Sequence, residues 1–519
     1  MNKNNKNPCS LNGLKFGFAE HFSSGDIEAF FGVFADVFSK ISVIIGVLLF
    51  GEKMPKELVL GRILPGIAAG SILGCLIYFW EAHKLGIKEN RKDVTALPFG
   101  VSSTHVFTWL FIIIVPVYRQ TGDAYFAWQV GLASCFCGGF VEIAGGFIAR
   151  PIKKFLPQAA LLSNMAAASL IWLSFNSMTA IFSKPLIAVL PLFMAFLTLS
   201  WHKNFIRFIP NSALIFLAGS LAAWLSGVSG AAQVQEAVND TGLYLPSLYI
   251  KDIFLGLNRI TPYLSTIIPL QIANFLVTMQ AVESAETVGD AFNMRETMIK
   301  DGITSIVSAL FGSPFPTTVY YGHTGWKRSG ARSGYMLLLI LPYTAMFFGA
   351  SLLLSAVIPF EVIMVFLLTV GITVAMKVQN DLPHDYSAVI YVSLFPIMAQ
   401  YITSLLDSVL HFFNSSIFSY GLEKFDAGGT AIRGLFYLSN GAFASSFMYS
   451  VWIAYILQKN YLRAATAAFL LAVLSSVGFI HQPSLSWLPK DNIKFVSVYL
   501  LIGIFCFILY KKNKSEIPL

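Results

Sequence analysis

Charged residues and cysteines are both scarce in this chain of 519 residues. Asp, Glu, Lys and Arg together make up 12% of it, against about 25% in ordinary soluble domains. The five cysteines are too few for a disulfide framework, and Cys135 and Cys137 lie in an apolar run that favours packing over metal binding. Hydrophobic residues reach 56%, and the mean hydropathy is +0.67. These values exclude a soluble enzyme, a nucleic-acid-binding protein and a disordered protein, and they predict a polytopic protein of the lipid bilayer.

Apolar runs predict sixteen membrane-spanning helices, because a bilayer core needs about 20 apolar residues per helix. Basic residues concentrate in alternate loops, which places both termini in the cytoplasm. We expect the protein to lie in the plasma membrane, which in a bacterium is the inner membrane. The predicted spans are 27–50, 59–82, 102–118, 122–148, 156–181, 185–200, 205–227, 263–288, 298–311, 319–333, 334–357, 360–376, 387–409, 433–458, 463–480 and 494–510.

Two matching breaks precede the third and tenth spans, which are short. Each break has a Pro-Phe pair, Pro98-Phe99 or Pro314-Phe315, followed by hydroxyl residues and a short helix. Proline removes a backbone donor and restrains the residue before it, so both stretches should be extended and lead into half-helices. The breaks are seven spans apart, and an odd number inverts the second copy. The sequence therefore predicts an all-α membrane protein with a 7+7 inverted repeat, typical of secondary transporters, plus two extra C-terminal spans.

Carboxylates within the predicted spans are candidate coupling groups, because a charge at membrane depth is costly and usually functional. Glu283 and Glu286 share one face of the eighth span, and we expect Glu286, helped by Glu283, to be the main proton-carrying site. Asp36 in the first span is a further coupling candidate, although Lys40 lies four residues on and can neutralise it. Glu142 in the fourth span is surrounded by small residues, and its role stays open.

Three segments resemble the motifs of the nucleobase-cation symporters, the family of xanthine, uracil, purine and ascorbate permeases. The segments are Ala285-Glu-Thr-Val-Gly289 in the eighth span, Pro316-Thr-Thr-Val-Tyr-Tyr-Gly-His323 in the tenth and Gly100-Val-Ser-Ser-Thr104 in the third. Within the family, the adenine, guanine and hypoxanthine permeases are the most similar branch. The resemblance implies import of a nucleobase, with a purine favoured, by symport with a proton. Sodium stays open as the coupling ion, and an elevator movement would carry the site across the membrane.

The resemblance also implies a domain division and a site. Glu286 would hydrogen-bond the base and Thr104 would line its face, while Tyr321 or His323 stands where the family usually has a second carboxylate. The implied segments are a cytoplasmic N-terminal segment 1–26, core-domain parts 27–148 and 263–357, gate-domain parts 156–227 and 360–458, and two additional spans in 463–510. The candidate substrate-binding residues are Glu286, Ser102, Ser103, Thr104, Thr317, Thr318, Tyr321, Gly322 and His323, and the candidates for proton coupling are Glu286, Glu283 and Asp36.

Two alternatives remain open at this stage. Anion transporters of the sulfate and bicarbonate type share the fold and hold an anion between the same half-helix ends. They usually lack a carboxylate facing the anion, so Glu286 argues against them. A non-transporting receptor or a membrane enzyme is the other alternative, but the spans offer no nucleophile and base pair and no metal cluster. We therefore expect no enzyme activity, cofactor, metal or nucleic acid, and we leave a homodimer open.

Overall fold

The computed structural model describes residues 17–200, 211–320, 322–413, 431–483 and 485–515, and it is built almost entirely from helices. Most of the predicted N-terminal segment 1–26 lies outside the described residues, and so does Tyr321. Seven helices in the described ranges are long and apolar enough to cross a membrane, and a bent pair of helices would make an eighth. The prediction of an integral membrane protein is confirmed.

The secondary structure is mostly α-helical, with short π-helical stretches inside several spans. The α-helices are α1 (Ser24–Ile44), α2 (Lys56–Leu58), α3 (Leu64–Glu89), α4 (Ser103–Thr108), α5 (Val115–Thr121), α6 (Ala124–Phe155), α7 (Gln158–Ala168), α8 (Asn176–Ser183), α9 (Pro185–Ser200), α10 (Asn211–Leu225), α11 (Ala231–Asn239), α12 (Ile250–Leu257), α13 (Leu264–Glu286), α14 (Met294–Leu310), α15 (His323–Arg328), α16 (Gly334–Met346), α17 (Ala350–Val357), α18 (Phe360–Asp381), α19 (Ser387–Phe412), α20 (Ile432–Ser439), α21 (Ala442–Leu457), α22 (Tyr461–Ser476) and α23 (Asn492–Ser515). The π-helical stretches are Ile45–Gly51, Val59–Ile63, Trp109–Ile114 and Ser169–Phe175, the 3-10 turns are Phe18–His21, Thr261–Tyr263 and His384–Tyr386, and the strands are β1 (Phe99–Val101) and β2 (Thr317–Val319).

Three predicted spans differ from the helices observed. The predicted span 334–357 is not one helix, because α16 and α17 are bent by 94° at a break that includes Gly349. The predicted span 433–458 is divided into α20 and α21 at Gly441. Both glycines have a positive φ, of 74° and 68°, which glycine adopts without the steric cost that other residues bear. Of the predicted span 319–333, only the short helix α15 is formed.

Helix packing follows the inverted repeat. α6 packs along α14 and α3 packs along α16, and a shift of seven spans converts the first pair into the second. The same shift relates the pair of α7 and α19 to the pair of α18 and α9. Between the two halves, β1 and β2 pair antiparallel with Gly100 opposite Thr318. The predicted 7+7 architecture with broken third and tenth spans is confirmed.

Glycines allow α6 and α14 to approach as closely as their backbones permit. A Cβ atom on Gly139 would lie 2.7 Å from the carbonyl oxygen of Gly302, and one on Gly302 would lie 2.5 Å from the carbonyl oxygen of Gly139. Small residues at such crossings are typical of helix packing in membranes. The crossing brings Glu142 of α6 and Asp301 of α14 to one shared neighbour, which is described below.

The two additional C-terminal spans are α22 and α23, which pack along each other. α22 also contacts α21, so the pair is attached at one side of the helix bundle. Only 17% of the apolar window in α23 is buried, as expected for a helix that faces lipid.

Candidate functional site

A cavity of about 250 Å³ lies where the two broken spans meet the first, fifth and eighth spans. One wall is polar and is formed by the ends of β1 and β2, the start of α4 and side chains of α1 and α13. The opposite wall is mostly apolar and belongs to α7, the π-helical stretch after it, α18 and α21. The cavity therefore lies between the two groups of spans that the sequence assigns to core and gate.

The first broken span presents its helix N-terminus to the cavity. α4 continues through Trp109–Ile114 into α5, and its N-cap Ser102 is extended. Ser102, Ser103 and His105, all at the start of this helix, line the cavity. The first backbone N–H groups of a helix have no partner within the helix and form the positive end of its dipole. This end of the cavity is therefore suited to negative charge.

Two buried polar atoms that line the cavity lack hydrogen-bond partners among the described residues. Nδ1 of His105 lies 2.7 Å from Oγ of Ser102, which also donates to Oδ1 of Asn274 at 3.3 Å. Nε2 of His105 is buried without a partner, and so is Oδ1 of Asn164 on the opposite wall. Since buried polar atoms are normally paired with protein, water or a ligand, these two atoms mark polar positions on the two walls.

Asp36 is the carboxylate in the described lining of the cavity, and Lys40 neutralises it. Nζ of Lys40 lies 2.5 Å from Oδ2 of Asp36 and donates to the carbonyl oxygen of Val101 at 2.8 Å. The same ammonium lies 4.0 Å from the centroid of the Tyr320 ring. Lys40 is fully buried, while the Asp36 side chain keeps 18% of its surface exposed. The pair joins the first span to both breaks and adds no net charge to the cavity.

The second broken span does not mirror the first. Thr318 lines the cavity, but Thr317 is fully buried away from it. Gly322 is the N-cap of α15, and neither it nor His323 reaches the cavity. Nε2 of His323 lies instead 3.1 Å from Oδ2 of Asp290. The side chain at the start of α15 thus faces a protein carboxylate and not the cavity.

Asp290 is the centre of a cluster of ion pairs outside the cavity. It is fully buried, and its Oδ1 lies 2.6 Å from Nη2 of Arg91 and 3.1 Å from Nζ of Lys327. The backbone N–H of Thr95 donates to its other oxygen at 3.1 Å. Partial burial raises the pKa of the neighbouring Asp93, but the hydrogen bond from Arg91 and the charge of Lys327 outweigh it and hold that pKa below its ordinary value. Through Asp290, the cluster connects His323 and Lys327 of α15 to Arg91 and Thr95, which precede β1.

The structure does not bring Glu286 to the cavity. Glu286 is the last residue of α13 and is exposed, and Glu283 lies one turn earlier and is partly exposed. α13 reaches the cavity instead through Leu270, Asn274 and Val277. Thr104 lies in the first turn of α4, but its side chain, like the whole of Tyr321, is outside the part of the chain that the structure describes.

Sequence reasoning missed His105, Asn164 and Asn274 as cavity residues. His105 directly follows the first hydroxyl run, so its position near a half-helix start was the available signal. Asn274 is a polar residue within the predicted eighth span, and a polar side chain at membrane depth was the available signal. Only the carboxylates of that span were predicted as site residues. Nothing local distinguishes Asn164, which follows Ser163 in an otherwise apolar stretch.

No family model and no curated protein sequence matches the chain. Similar solved structures include the transmembrane domain of BicA, a bicarbonate transporter from a cyanobacterium, with a TM-score of 0.47 and 14% identity over 76% of this chain and 98% of that one. SLC26A9 is another, with a TM-score of 0.41 and 12% identity over 79% of this chain and 73% of that one.

The predicted membership of the nucleobase-cation symporters, and with it nucleobase import by proton symport, is wrong. The two similar solved structures named above, BicA and SLC26A9, are not nucleobase permeases. The geometry agrees, because the carboxylate that the resemblance placed on the base is exposed at a helix end, outside the cavity. What remains is an integral membrane protein with the 7+7 inverted-repeat fold.

Proposed function

We propose that the protein is a secondary transporter of a small anion. The observation that carries this proposal is the start of α4, whose free backbone N–H groups and whose Ser102 and Ser103 hydroxyls face a cavity with no unpaired carboxylate among the described lining residues. An anion there would replace its lost hydration with hydrogen bonds from fixed donors and with the positive end of a helix dipole.

The position of Glu286 removes the main objection to an anion. A carboxylate facing the substrate would repel it, but Glu286 is exposed at the end of α13. Asp36 is the described carboxylate that does face the cavity, and its charge is balanced by Lys40 at 2.5 Å. The field in the cavity is therefore set by the helix end.

Cavity size and shape favour a small, compact anion. About 250 Å³ is enough for an inorganic oxyanion or a carboxylate of a few carbons. Such ions share a flat or tetrahedral array of acceptor oxygens, which suits several N–H and O–H donors on one side. The apolar residues Leu173, Val374 and Phe443 on the opposite wall exclude water and strengthen those bonds.

The wider prediction of movement and orientation becomes part of this proposal. Spans 1 to 4 and 8 to 11 would form the core domain that carries the site, and spans 5 to 7 and 12 to 14 the gate domain against which it slides. Both termini would lie in the cytoplasm, and the membrane would be the plasma membrane. The position of the cavity between the two groups of spans supports this division.

Uptake by purified protein in proteoliposomes tests the proposal. Labelled bicarbonate, sulfate and small mono- and dicarboxylates form the panel, with adenine and uracil as comparison compounds. We expect saturable uptake of at least one anion, inhibited by the others that fit, and none of the bases. Uptake of a base with no transport of any anion would overturn the proposal.

A matched pair of variants links that uptake to the site. Ser103→Ala removes a hydroxyl that faces the cavity and should weaken apparent anion affinity about tenfold, the loss of one hydrogen bond to a charged group. Ser183→Ala makes the same change at an exposed position at the end of α8 and should leave affinity unchanged. Equal affinity in both variants would place the anion elsewhere.

A further inference from the structure

A pair of buried carboxylates lies behind the polar wall of the cavity, on the glycine-rich crossing of α6 and α14. Glu142 and Asp301 are both fully buried. Oγ1 of Thr278 in α13 lies 3.2 Å from Oε1 of Glu142 and 3.0 Å from Oδ2 of Asp301. Both acids therefore contact the same hydroxyl group.

Positive charge is missing around this pair. Among the described residues, neither Glu142 nor Asp301 forms an ion pair with Lys, Arg or His. The titratable groups that face them are Tyr78 of α3, Cys135 of α6 and Tyr320 after β2, which are ordinarily neutral at pH 7. The ammonium of Lys300, the residue before Asp301, lies 2.9 Å from Glu81, one turn beyond Tyr78. Its positive charge is therefore balanced by Glu81 and not by the two buried acids.

Two uncompensated carboxylates in contact with one hydroxyl cannot both stay ionised away from water. Counting hydrogens gives the same result. The Thr278 hydroxyl has a single hydrogen, yet its oxygen also lies 3.1 Å from Oγ1 of Thr318. Its hydrogen serves one of these three contacts and the hydroxyl of Thr318 can serve a second, so the third needs a hydrogen from an acid. A proton on one carboxyl group supplies it.

The hydrogen-bond donors around the two acids show which one holds the proton. Asp301 accepts from the hydroxyl of Tyr78 and, at 3.1 Å, from the backbone N–H of Val319, so its charge is well stabilised. Glu142 accepts from Nδ2 of Asn274 at 3.0 Å, and its Oε2 has no partner in the described part of the chain. The proton therefore belongs on Glu142, which donates through Thr278 to the ionised Asp301.

The hydrogen-bonded chain from Glu142 through Thr278 to Asp301 is connected to the cavity wall at one end and to β2 at the other. Asn274, which donates to Glu142, lines the cavity and accepts from Ser102 at 3.3 Å. Asp301 holds the N–H of Val319, the last residue of β2, and β2 pairs with β1. A change of charge at the pair is thus transmitted to the cavity wall and to the crossing strands.

We propose that Glu142, with Asp301 as its ionised partner, is the site of a proton that is bound and released once in each transport cycle. The proton comes from water and returns to water when Asn274 moves aside. The inference rests on the proposed anion transport and adds the coupling ion to it. It assigns this role to none of Glu286, Glu283 and Asp36, which the sequence suggested.

The test compares two modes of transport in proteoliposomes, with the best anion of the panel. A pH difference of about one unit should support about tenfold accumulation of a monovalent anion if one proton moves with it. Glu142→Gln keeps the shape and the donor to Thr278 but cannot titrate. We expect the variant to lose accumulation driven by the pH gradient and to retain exchange of internal for external anion at equal pH within a factor of about two.

Glu361→Gln is the matched control. Glu361 is also a buried acid, but it is paired with Lys184 at 2.8 Å in a different part of the bundle. We expect accumulation and exchange in this variant to equal those of the unmodified protein. A thermal unfolding midpoint for each variant confirms that it is folded.

Proton counting separates this inference from the proposed function. Anion is added to purified protein in weakly buffered detergent solution containing a pH dye, and binding is measured in the same sample by calorimetry. We expect proton uptake with anion binding in the unmodified protein and none in Glu142→Gln. Binding without proton uptake, or gradient-driven accumulation that survives in Glu142→Gln, would overturn the proton site and leave anion transport intact. Accumulation driven by a sodium gradient and lost in Glu142→Gln would overturn it also, because the pair would then hold sodium.

A second pair of variants keeps the test decisive if Glu142→Gln does not fold. Thr278→Val removes the shared hydroxyl at constant size, and Thr278→Ser restores it. We expect gradient-driven accumulation to be lost in the first and kept in the second. Equal accumulation in the two variants would contradict the hydrogen-bonded chain through Thr278.

Discussion

The two broken spans occupy equivalent places in the inverted repeat, yet they are held by different forces. β1 is held by packing, since Phe99 is fully buried and lies against Gly74 of α3. β2 is held by polar contacts, in which Ser305 of α14 bonds the backbone of Thr317 on both its N–H, at 3.0 Å, and its carbonyl, at 3.1 Å. The first strand therefore packs on α3, with Lys40 bonded to its last carbonyl, while the second is held to α14 through a hydroxyl.

The helix ends after the two strands differ in the same way. The start of α4 is open to the cavity, with Nε2 of His105 unpaired among the described residues. At the start of α15 the side chain of His323 faces Asp290, which Arg91 and Lys327 also contact. In the proposed function, the substrate binds at the start of α4 in the first half, while the proton site joins Glu142 of the first half to Asp301 of the second.

Lys40 joins the two halves, and its removal should have the largest effect. Lys40→Met would leave Asp36 without its partner next to Val101 and Tyr320, so we expect the free energy of unfolding to fall by about 3 to 5 kcal/mol. Chemical denaturation in detergent measures the change. Adding Asp36→Leu removes the unpaired charge and should restore much of the stability. A single variant as stable as the unmodified protein would show that the pair does not hold the halves together.

The packed half should not tolerate added volume. In Gly74→Ala the new Cβ would lie 1.8 Å from Cε1 of Phe99, so we expect a loss of about 1 to 3 kcal/mol in the free energy of unfolding. Gly325→Ala in α15 adds the same methyl group where no atom lies within 4 Å and should cost nothing. Similar stability in both variants would contradict the contrast between the halves.

The two histidines sharpen the comparison of the helix ends. His105→Gln should weaken anion binding about tenfold, because it removes the ring whose Nδ1 holds Ser102 at the start of α4. His323→Gln should leave binding within about twofold, since its ring faces Asp290 rather than the cavity. Isothermal titration with the transported anion measures both. The reverse order of effects would move the site to the second half.

Ser305→Ala should have the smallest effect. It removes one hydroxyl that contacts the N–H and carbonyl of Thr317, and we expect the free energy of unfolding to fall by about 1 kcal/mol. Thermal unfolding of Ser305→Ala beside Ser305→Thr, which keeps the hydroxyl, measures it. A stability equal to that of the unmodified protein would mean that α14 does not hold β2 through this side chain.

The fold was largely predictable because local sequence patterns determine its helices and breaks. Apolar runs of span length and the repeated Pro-Phe pairs at Pro98 and Pro314 identify the helices and both breaks. The bends at Gly349 and Gly441 were not predicted, because each interrupts a continuous apolar run and hydropathy carries no information about φ.

The site was predicted less well because it depends on where helices end and what they pack against. Glu286 was placed at membrane depth on a motif, but α13 ends at that residue. Asp301 was not among the candidates, although it is a carboxylate inside the predicted span 298–311. Only the crossing of α6 and α14 shows that it meets Glu142.

The central claim, that an anion binds at the first half-helix end, is tested most directly by an experimental structure with a heavy anion. Crystals soaked in selenate or bromide and measured at the absorption edge locate the ion by its anomalous scattering. We predict a peak within hydrogen-bond distance of the backbone N–H of Ser103. A peak beside His323, or none in the cavity with the ion bound near Arg91 instead, would contradict the claim.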